Sequence, residues 1–355
     1  MKLRNLIDRE NIIGRYNDGR RDLLKGLNKG LKLTEEESKE IDRYWKPYLN
    51  TVLAKVTFDK RWYSIYKKTN VFNFDLKKYI PDSYFYCVLD TFFNKSEAAL
   101  CLDDKNLYDL FFSDVRQPRT ICRKQNGIYL NEDYRIISEE DAIKLCLQNG
   151  RVIIKPSVDS CAGSGITKWE SKSSVDSLLN DAIRNTDSFV AQDIIEQSQF
   201  MDDFCNSCVN TLRLVTLLFN NSVHVVTAVM IVGGKDALTN HLHRGGICCG
   251  ISPDGSLFPT AFDGQLNQYE IHPNGIQFAG SVIPNYDKCI QLVKSLAPRL
   301  SNVSKLIAWD VALDKDNNPV LIETNLRWGG MVQIAAGPIF GEMTKEILDY
   351  VRTHR

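Results

Sequence analysis

Asp310, Glu323 and Asn325 lie on two strand-like segments, SKLIAWDVALDKDNNPVLIETN, whose polar middle can form a hairpin. Asp316 and Asn317 suit the two central positions of a tight turn, because Asp and Asn tolerate left-handed backbone. That register sets Asp310 directly across from Glu323. Strand side chains alternate faces, so Asn325 joins the two carboxylates beside Ala308, Ala312 and Leu321, while Ile307, Trp309, Val311, Leu313, Val320 and Ile322 take the other face. One face is core and the other is a site. Opposed carboxylates repel unless a cation or a proton lies between them, and hard oxygen donors among small residues suit Mg²⁺ carrying phosphates, with Mn²⁺ as the alternative ion. The competing structural reading neutralises the pair with arginines such as Arg213 or Arg327.

A second segment, RVIIKPSVDSCAGSGI at 151–166, is an apolar strand that delivers Lys155 and Pro156 into a Ser/Gly-rich loop. Lysine charge and loop N–H groups together can grip a polyphosphate. The loop is neither GxxxxGK[ST] nor GxGxxG, which disfavours those two nucleotide folds. A third segment, SFVAQDIIEQSQF at 188–200, is an apolar strand ending in a polar stretch, where backbone groups and Gln192 can meet an adenine edge.

The order of lysine strand, hinge strand and D…ExN hairpin resembles the ATP-grasp superfamily. More narrowly, FNFDLKKYIPDSYFYCVLDTFFN, DDKNLYDLFF, VNTLRLVT and DVALDKDNNPVLIETN resemble its sugar-transfer-associated branch, over most of the chain after about residue 60. The resemblance implies an α+β ATP-grasp fold, with two α+β lobes clamping ATP beside an N-terminal helical and aromatic region. It implies Asp310, Glu323 and Asn325 as magnesium ligands, Glu323 bridging two ions, and Lys155 and Lys105 as phosphate-binding lysines. Ser157, Gly163 and Gly165 belong to the implied phosphate loop, and Gln192, Asp193 and Ile195 to the adenine hinge, the last two through their backbones. Arg213 matches an arginine facing the phosphates and acyl group. The loop departs from the family by an additional Cys161 and fewer glycines.

Two further basic positions are weighed on the residues. In NHLHRGGICCGI, Asn240, His241, His243 and Arg244 can line an acceptor side that binds a carboxylate or acyl phosphate; the bland alternative is a solvated loop with a glycine turn. Arg327 is placed to offset charge on a transferring phosphoryl group, although an arginine after a strand is often solvent-exposed. The implied chemistry is ATP-dependent activation of a small-molecule carboxylate as an acyl phosphate, then attack by an amine or amino sugar, with ADP and phosphate released. The branch name points to surface-polysaccharide or amino-sugar modification. A kinase acting on a hydroxyl, and a noncatalytic nucleotide-binding partner, are the other classes.

Length and composition fit that expectation. The chain has 355 residues, enough for two or three lobes, and 44 basic residues balance 44 acidic ones, so no global field favours nucleic acid. The start MKLRNLIDRENIIGRY lacks a secretory apolar core, and no stretch reaches membrane-spanning length, which points to a cytoplasmic protein with reduced cysteines. Cys205 and Cys208 form a CxxC without a second zinc-ligand spacing. DKDNNP mimics the start of a calcium loop, but Pro319 stands where glycine is needed.

Three parts are expected: a helical and aromatic region over 1–100, a small nucleotide-clamping lobe over 101–200, and a large lobe with the metal hairpin over 201–355. Thr34 and Glu37 have capping-box spacing ahead of Ile41, Tyr44, Trp45, Tyr48 and Leu49 on one helical face. Helices are expected near 105–112, from Ser138 through Cys146, near 174–184, at 286–297 and at 340–351. Strand pairs are expected to join at Asn220-Asn221 and at Pro253-Asp254-Gly255. The aromatic residues of 58–86 read as core, with a sugar platform as the alternative.

Overall fold

A computed structural model describes residues 31–50, 58–94, 101–102, 104–158, 165–235, 237, 239–326, 328 and 332–355. Gly163, Cys161 and Arg327 lie outside these, as does the side chain of His243. Helix α1 (Glu35–Trp45) begins at Thr34, whose hydroxyl accepts the Glu37 N–H while Glu37 returns to the Thr34 N–H, the expected capping box. Helix α2 (Trp62–Thr69) follows. Trp45, Trp62, Tyr63, Tyr66, Tyr79, Tyr84 and Phe85 are buried, so these rings fill a core rather than presenting a sugar platform. Their polar ends are satisfied locally: the Tyr63 and Tyr66 hydroxyls donate to the Tyr79 and Ile80 carbonyls.

The first sheet is antiparallel, in the order β2-β1-β5-β3-β4. Its strands are β1 (Thr120–Gln125), β2 (Ile128–Asn131), β3 (Arg151–Pro156), β4 (Thr167–Glu170) and β5 (Phe189–Gln192). Helices α3 (Glu139–Asn149, capped by Ser138) and α4 (Asp176–Asn185) cover one face. Val152 and Ile154 point into that core with Ala142, Cys146, Leu179 and Ile183, so alternation turns Ile153 and Lys155 to the opposite face. Lys124 reaches the carbonyls of Ile183 and Arg184 at the end of α4, where a cation is favoured.

Helix α5 (Gln199–Phe204) leads into the second antiparallel sheet, in the order β10-β9-β8-β7-β6-β11-β12. The strands are β6 (Thr211–Phe219), β7 (Ser222–Val232), β8 (Ile247–Ile251), β9 (Leu257–Asp263), β10 (Gln268–Tyr269), β11 (Leu306–Leu313) and β12 (Pro319–Asn325). Asn220 and Asn221 both have positive φ, which the tight β6–β7 turn demands, and Gly255 supplies the same freedom between β8 and β9. Helix α6 (Tyr286–Leu296) packs on one face together with Ile307, Trp309, Val311, Leu313 and Leu321. The other face is half covered: Val215, Leu217, Leu306 and Ala308 join the N-terminal aromatic core and α7 (Thr344–His354). Among the described residues no helix is long and apolar enough to cross a membrane.

The β11–β12 hairpin departs from the expected turn. The loop is Lys315-Asp316-Asn317, closed by Asp314 and Asn318, with Asn317 at φ 61°. The Asp314 carboxylate accepts the N–H groups of Asp316 and Asn318, an acidic side chain substituting for backbone partners in a tight loop. The longer loop shifts the first pairs, Leu313 with Pro319 and Val311 with Leu321, and a bulge at Ile322 then restores Asp310 opposite Glu323. Leu321 therefore faces the core rather than the site, and Val320 takes the place expected of it.

Gln333 binds the N-terminal region to the large sheet. Its carbonyl oxygen accepts the Ile80 N–H at 3.0 Å, and its amide donates to the Ile80 carbonyl at 2.9 Å and to the Tyr66 hydroxyl at 3.2 Å, all buried. Gln333→Met keeps the length of the side chain but orphans the Ile80 N–H, while the Ile80 carbonyl loses one of its two donors and keeps the Tyr66 hydroxyl. Urea unfolding is expected to show stability lowered by about 3 kcal/mol with an unchanged m-value.

Candidate active site

Asp310 lies on β11 between two charged neighbours in register, Arg213 on β6 and Glu323 on β12. Arg213 grips Asp310 with two parallel bonds, Nε to Oδ1 at 2.8 Å and Nη2 to Oδ2 at 2.7 Å. Asn325 follows on the same face, its amide nitrogen 3.1 Å from Asp310 Oδ2 and 3.4 Å from Glu323 Oε1. The triad read from the sequence is thus one contiguous cluster.

Two lysines reach the cluster from outside the large sheet. Lys105, in the short turn Lys105–Leu107, has its Nζ 3.6 Å from Glu323 Oε2. Lys155 projects from β3, partly buried, with Nζ 3.4 Å from Gln192 Oε1. Burial pushes Lys155 down to about 8, against the pull of Glu323, and like-charge repulsion from Lys105 acts in the same direction as burial. For Glu323 burial acts upward, but Lys105, Arg213 and Lys155 outweigh it and hold the carboxyl below its ordinary value. Asp310 moves the other way: burial and the facing Glu323 raise it despite Arg213.

The remaining expected site residues fall in three places. Ser157 is buried after β3 with its hydroxyl unpartnered, its N–H donating to the Ser188 carbonyl and its own carbonyl accepting the Lys105 N–H. Gly165, at φ 74°, closes the loop against Pro156, where an added Cβ would lie 2.8 Å from the proline ring. At the hinge, Gln192 donates to the Pro118 carbonyl at 3.4 Å. The Asp193 N–H donates to the Arg119 carbonyl, and the Asp193 carboxylate pairs with Arg119 at 3.0 Å and Asn149 at 2.8 Å. Ile195 lines a groove of about 540 Å³ with Arg116, Pro118, Arg151, Asp193 and Val320.

Asn240 donates to the Thr211 hydroxyl at 3.0 Å, folding its loop over the β6 end that carries Arg213. His241 is partly buried there and Arg244 is exposed. Cys205 and Cys208 stand with sulfurs 3.6 Å apart against Gly233. Sequence reading missed Arg116, whose Nη2 lies 2.6 Å from the hairpin's Asp314, and Arg119 on the hinge; neither carries a motif.

The described residues offer Asp310, Glu323 and Asn325 as the oxygen donors for a hard cation. No third His, Cys, Asp or Glu among them joins the two carboxylates, so a cation held here would need the Asn325 amide as third donor, flipped to present its oxygen. Arg213 takes one lone pair from each Asp310 oxygen and leaves the others available. Donor chemistry and location both fit a magnesium site.

A model of sugar-transfer associated ATP-grasp proteins matches residues 87–348, a span that contains every element of this cluster. The chain belongs to the sugar-transfer associated ATP-grasp family. No curated protein matches this family member in sequence. Among solved structures it is similar to D-alanyl-alanine synthetase A from Vibrio cholerae, at 13% identity and a TM-score of 0.42, covering 72% of this chain and 65% of that one. It is also similar to an L-amino acid ligase from Bacillus licheniformis, at 14% identity and a TM-score of 0.40, covering 70% of this chain and 48% of that one. A biotin carboxylase complex from Campylobacter jejuni matches at 12% identity and a TM-score of 0.45, covering 74% of this chain and 49% of that one. The ATP-grasp chain thus spans about half to two thirds of the length of these structures.

Lys155 yields a direct test of the electrostatics. Below its folded pKa of about 8 the amine is charged and unreactive; above it the amine is free. Acetylation by acetic anhydride, followed at the Lys155 peptide by mass spectrometry, is expected to rise with a midpoint near pH 8. A midpoint near the ordinary lysine value of roughly 10.4 contradicts burial as the cause.

Proposed function

We propose that this ATP-grasp protein is an ATP- and magnesium-dependent ligase that activates a small-molecule carboxylate as an acyl phosphate and joins it to an amine. The reading is carried by one observation: Asp310, Glu323 and Asn325 converge on one sheet face with Arg213, Lys105 and Lys155 around them. Magnesium held by the triad would neutralise charge on the terminal phosphates. Lys105 and Lys155 reach the cluster from the turn before β1 and from β3, where their charges can meet phosphate oxygens. Lys155 serves in its charged form, which phosphate stabilises against the burial that now depresses it.

Gln192, with the Asp193 and Ile195 backbones, is assigned to adenine, and Ser157, Gly163 and Gly165 to the phosphate loop. Arg213, paired with Asp310 and two residues along β6 from the Thr211 that Asn240 meets, is assigned to offset charge on the carboxylate substrate. We assign the acceptor side to Arg244, and to Arg327 the offsetting of charge on the transferring phosphoryl group. A carboxylate repels nucleophiles and has no good leaving group; phosphoryl transfer removes both obstacles, after which the amine displaces phosphate and ADP remains. The family description, sugar-transfer associated, supports a role beside sugar assembly; within it we assign an amino sugar as acceptor and surface-polysaccharide modification as the setting.

With a carboxylate panel, MgATP and hydroxylamine, the expected product is a hydroxamate accompanied by ADP. AMP would replace this mechanism with adenylation, and ADP with a phosphorylated sugar would replace it with a kinase. Glu323→Gln is expected to lower turnover about a hundredfold or more while circular dichroism and melting remain near wild type. Full activity at an unchanged magnesium requirement would reject the triad.

A further inference from the structure

β12 is the edge strand of the large sheet, and Thr324 lies on it between Glu323 and Asn325. The Thr324 N–H and C=O both turn away from β11, as edge groups do, and would need water or another partner. They meet a single phenol. The Tyr108 hydroxyl accepts the Thr324 N–H at 3.1 Å and lies 3.3 Å from both the Thr324 carbonyl and its hydroxyl, with Tyr108 buried. The Thr324 hydroxyl in turn donates to the Leu102 carbonyl at 3.3 Å.

Tyr108 sits one turn beyond Lys105, and the same turn is moored to the small sheet. Arg123 on β1, fully buried, donates to the Asn106 carbonyl at 2.8 Å and pairs with Asp109. Tyr134 donates to the same carbonyl at 2.6 Å, with the Arg123 guanidinium 3.8 Å above its ring. Asn106 donates to the Lys124 carbonyl at 3.2 Å. One short segment therefore holds the small sheet at one end and the main chain between two triad members at the other.

We infer that Tyr108 is a positioning residue for the metal site: its phenol pins the Thr324 main chain and so fixes Glu323 and Asn325 on either side, while Asn106 and Asp109 tie that pin to the small lobe. The inference rests on the reading of Asp310, Glu323 and Asn325 as metal ligands. Alternation places the Glu323 and Asn325 side chains on the face opposite Thr324, so a hydrogen bond at one backbone residue restrains both. Groups that orient metal ligands without touching the metal commonly carry 10- to 100-fold of the affinity.

The test is Mn²⁺ titration in the presence of ADP, followed by electron paramagnetic resonance, on wild type, Tyr108→Phe, Glu323→Gln and Thr324→Val. Tyr108→Phe retains the ring and is expected to weaken Mn²⁺ binding about tenfold. ADP binding measured in EDTA should change less than twofold. Thr324→Val removes the hydroxyl and its bond to the Leu102 carbonyl but leaves the main-chain bonds at position 324 to Tyr108, and should stay within about threefold of wild type. Mn²⁺ affinity unchanged in Tyr108→Phe, even with a lowered melting temperature, overturns the inference. If Glu323→Gln also binds like wild type, the ligand reading itself fails; if Glu323→Gln weakens and Tyr108→Phe does not, the Tyr108 role alone fails. Hydrogen exchange on metal-free wild type supplies a measurement independent of any variant: the Thr324 amide should be protected, and open-strand exchange there would equally overturn the pin.

Discussion

Asp310, buried, and Glu323, partly buried, face each other across β11 and β12, and Arg213, Lys105 and Lys155 answer that repulsion. Removing a carboxylate from water costs several kcal/mol after relaxation, so two side by side need partners with good geometry. Arg213 supplies a bidentate partner to Asp310 from the adjacent strand. Lys105 and Lys155 act on Glu323 from the segment before β1 and from the small sheet. The acidic pair thereby draws together elements of both lobes, and the cations it gathers are the groups a polyphosphate requires.

Much of this was legible because it is local. The alternation over 306–325, the capping signals at Thr34 and Ser138, and the Asn220-Asn221 turn each specify themselves within a few residues. The Asp310–Glu323 opposition emerged in the structure from a different register than the sequence suggests. The loop is one residue longer and shifts the pairing by one, and the Ile322 bulge shifts it back. Leu321 and Val320 exchanged faces as a result, since a bulge reverses alternation for the residues between it and the turn.

What escaped sequence reading is long-range. Nothing near Tyr108 announces that its hydroxyl will meet a backbone 216 residues away, and Arg123 looks like one of many surface arginines until β1 places it in the sheet interior. Arg116 and Arg119 acquire roles through the turn of the hinge groove, a shape that exists only after both sheets have formed. The loop after β3 lies between these cases: Ser157 and Gly165 are placed, and Gly163 is among the residues not described.

The half-covered face of the large sheet has a consequence for how the molecule can be divided. The segment recognisable as family begins at residue 87, yet Val215, Leu217 and Ala308 are sealed by rings that precede it, and Gln333 finds its partners at Tyr66 and Ile80. The stretch that defines kinship is therefore smaller than the autonomous folding unit. A piece cut at the family boundary would expose an apolar sheet face next to the acidic pair, and solubility would fail before any question of catalysis arose.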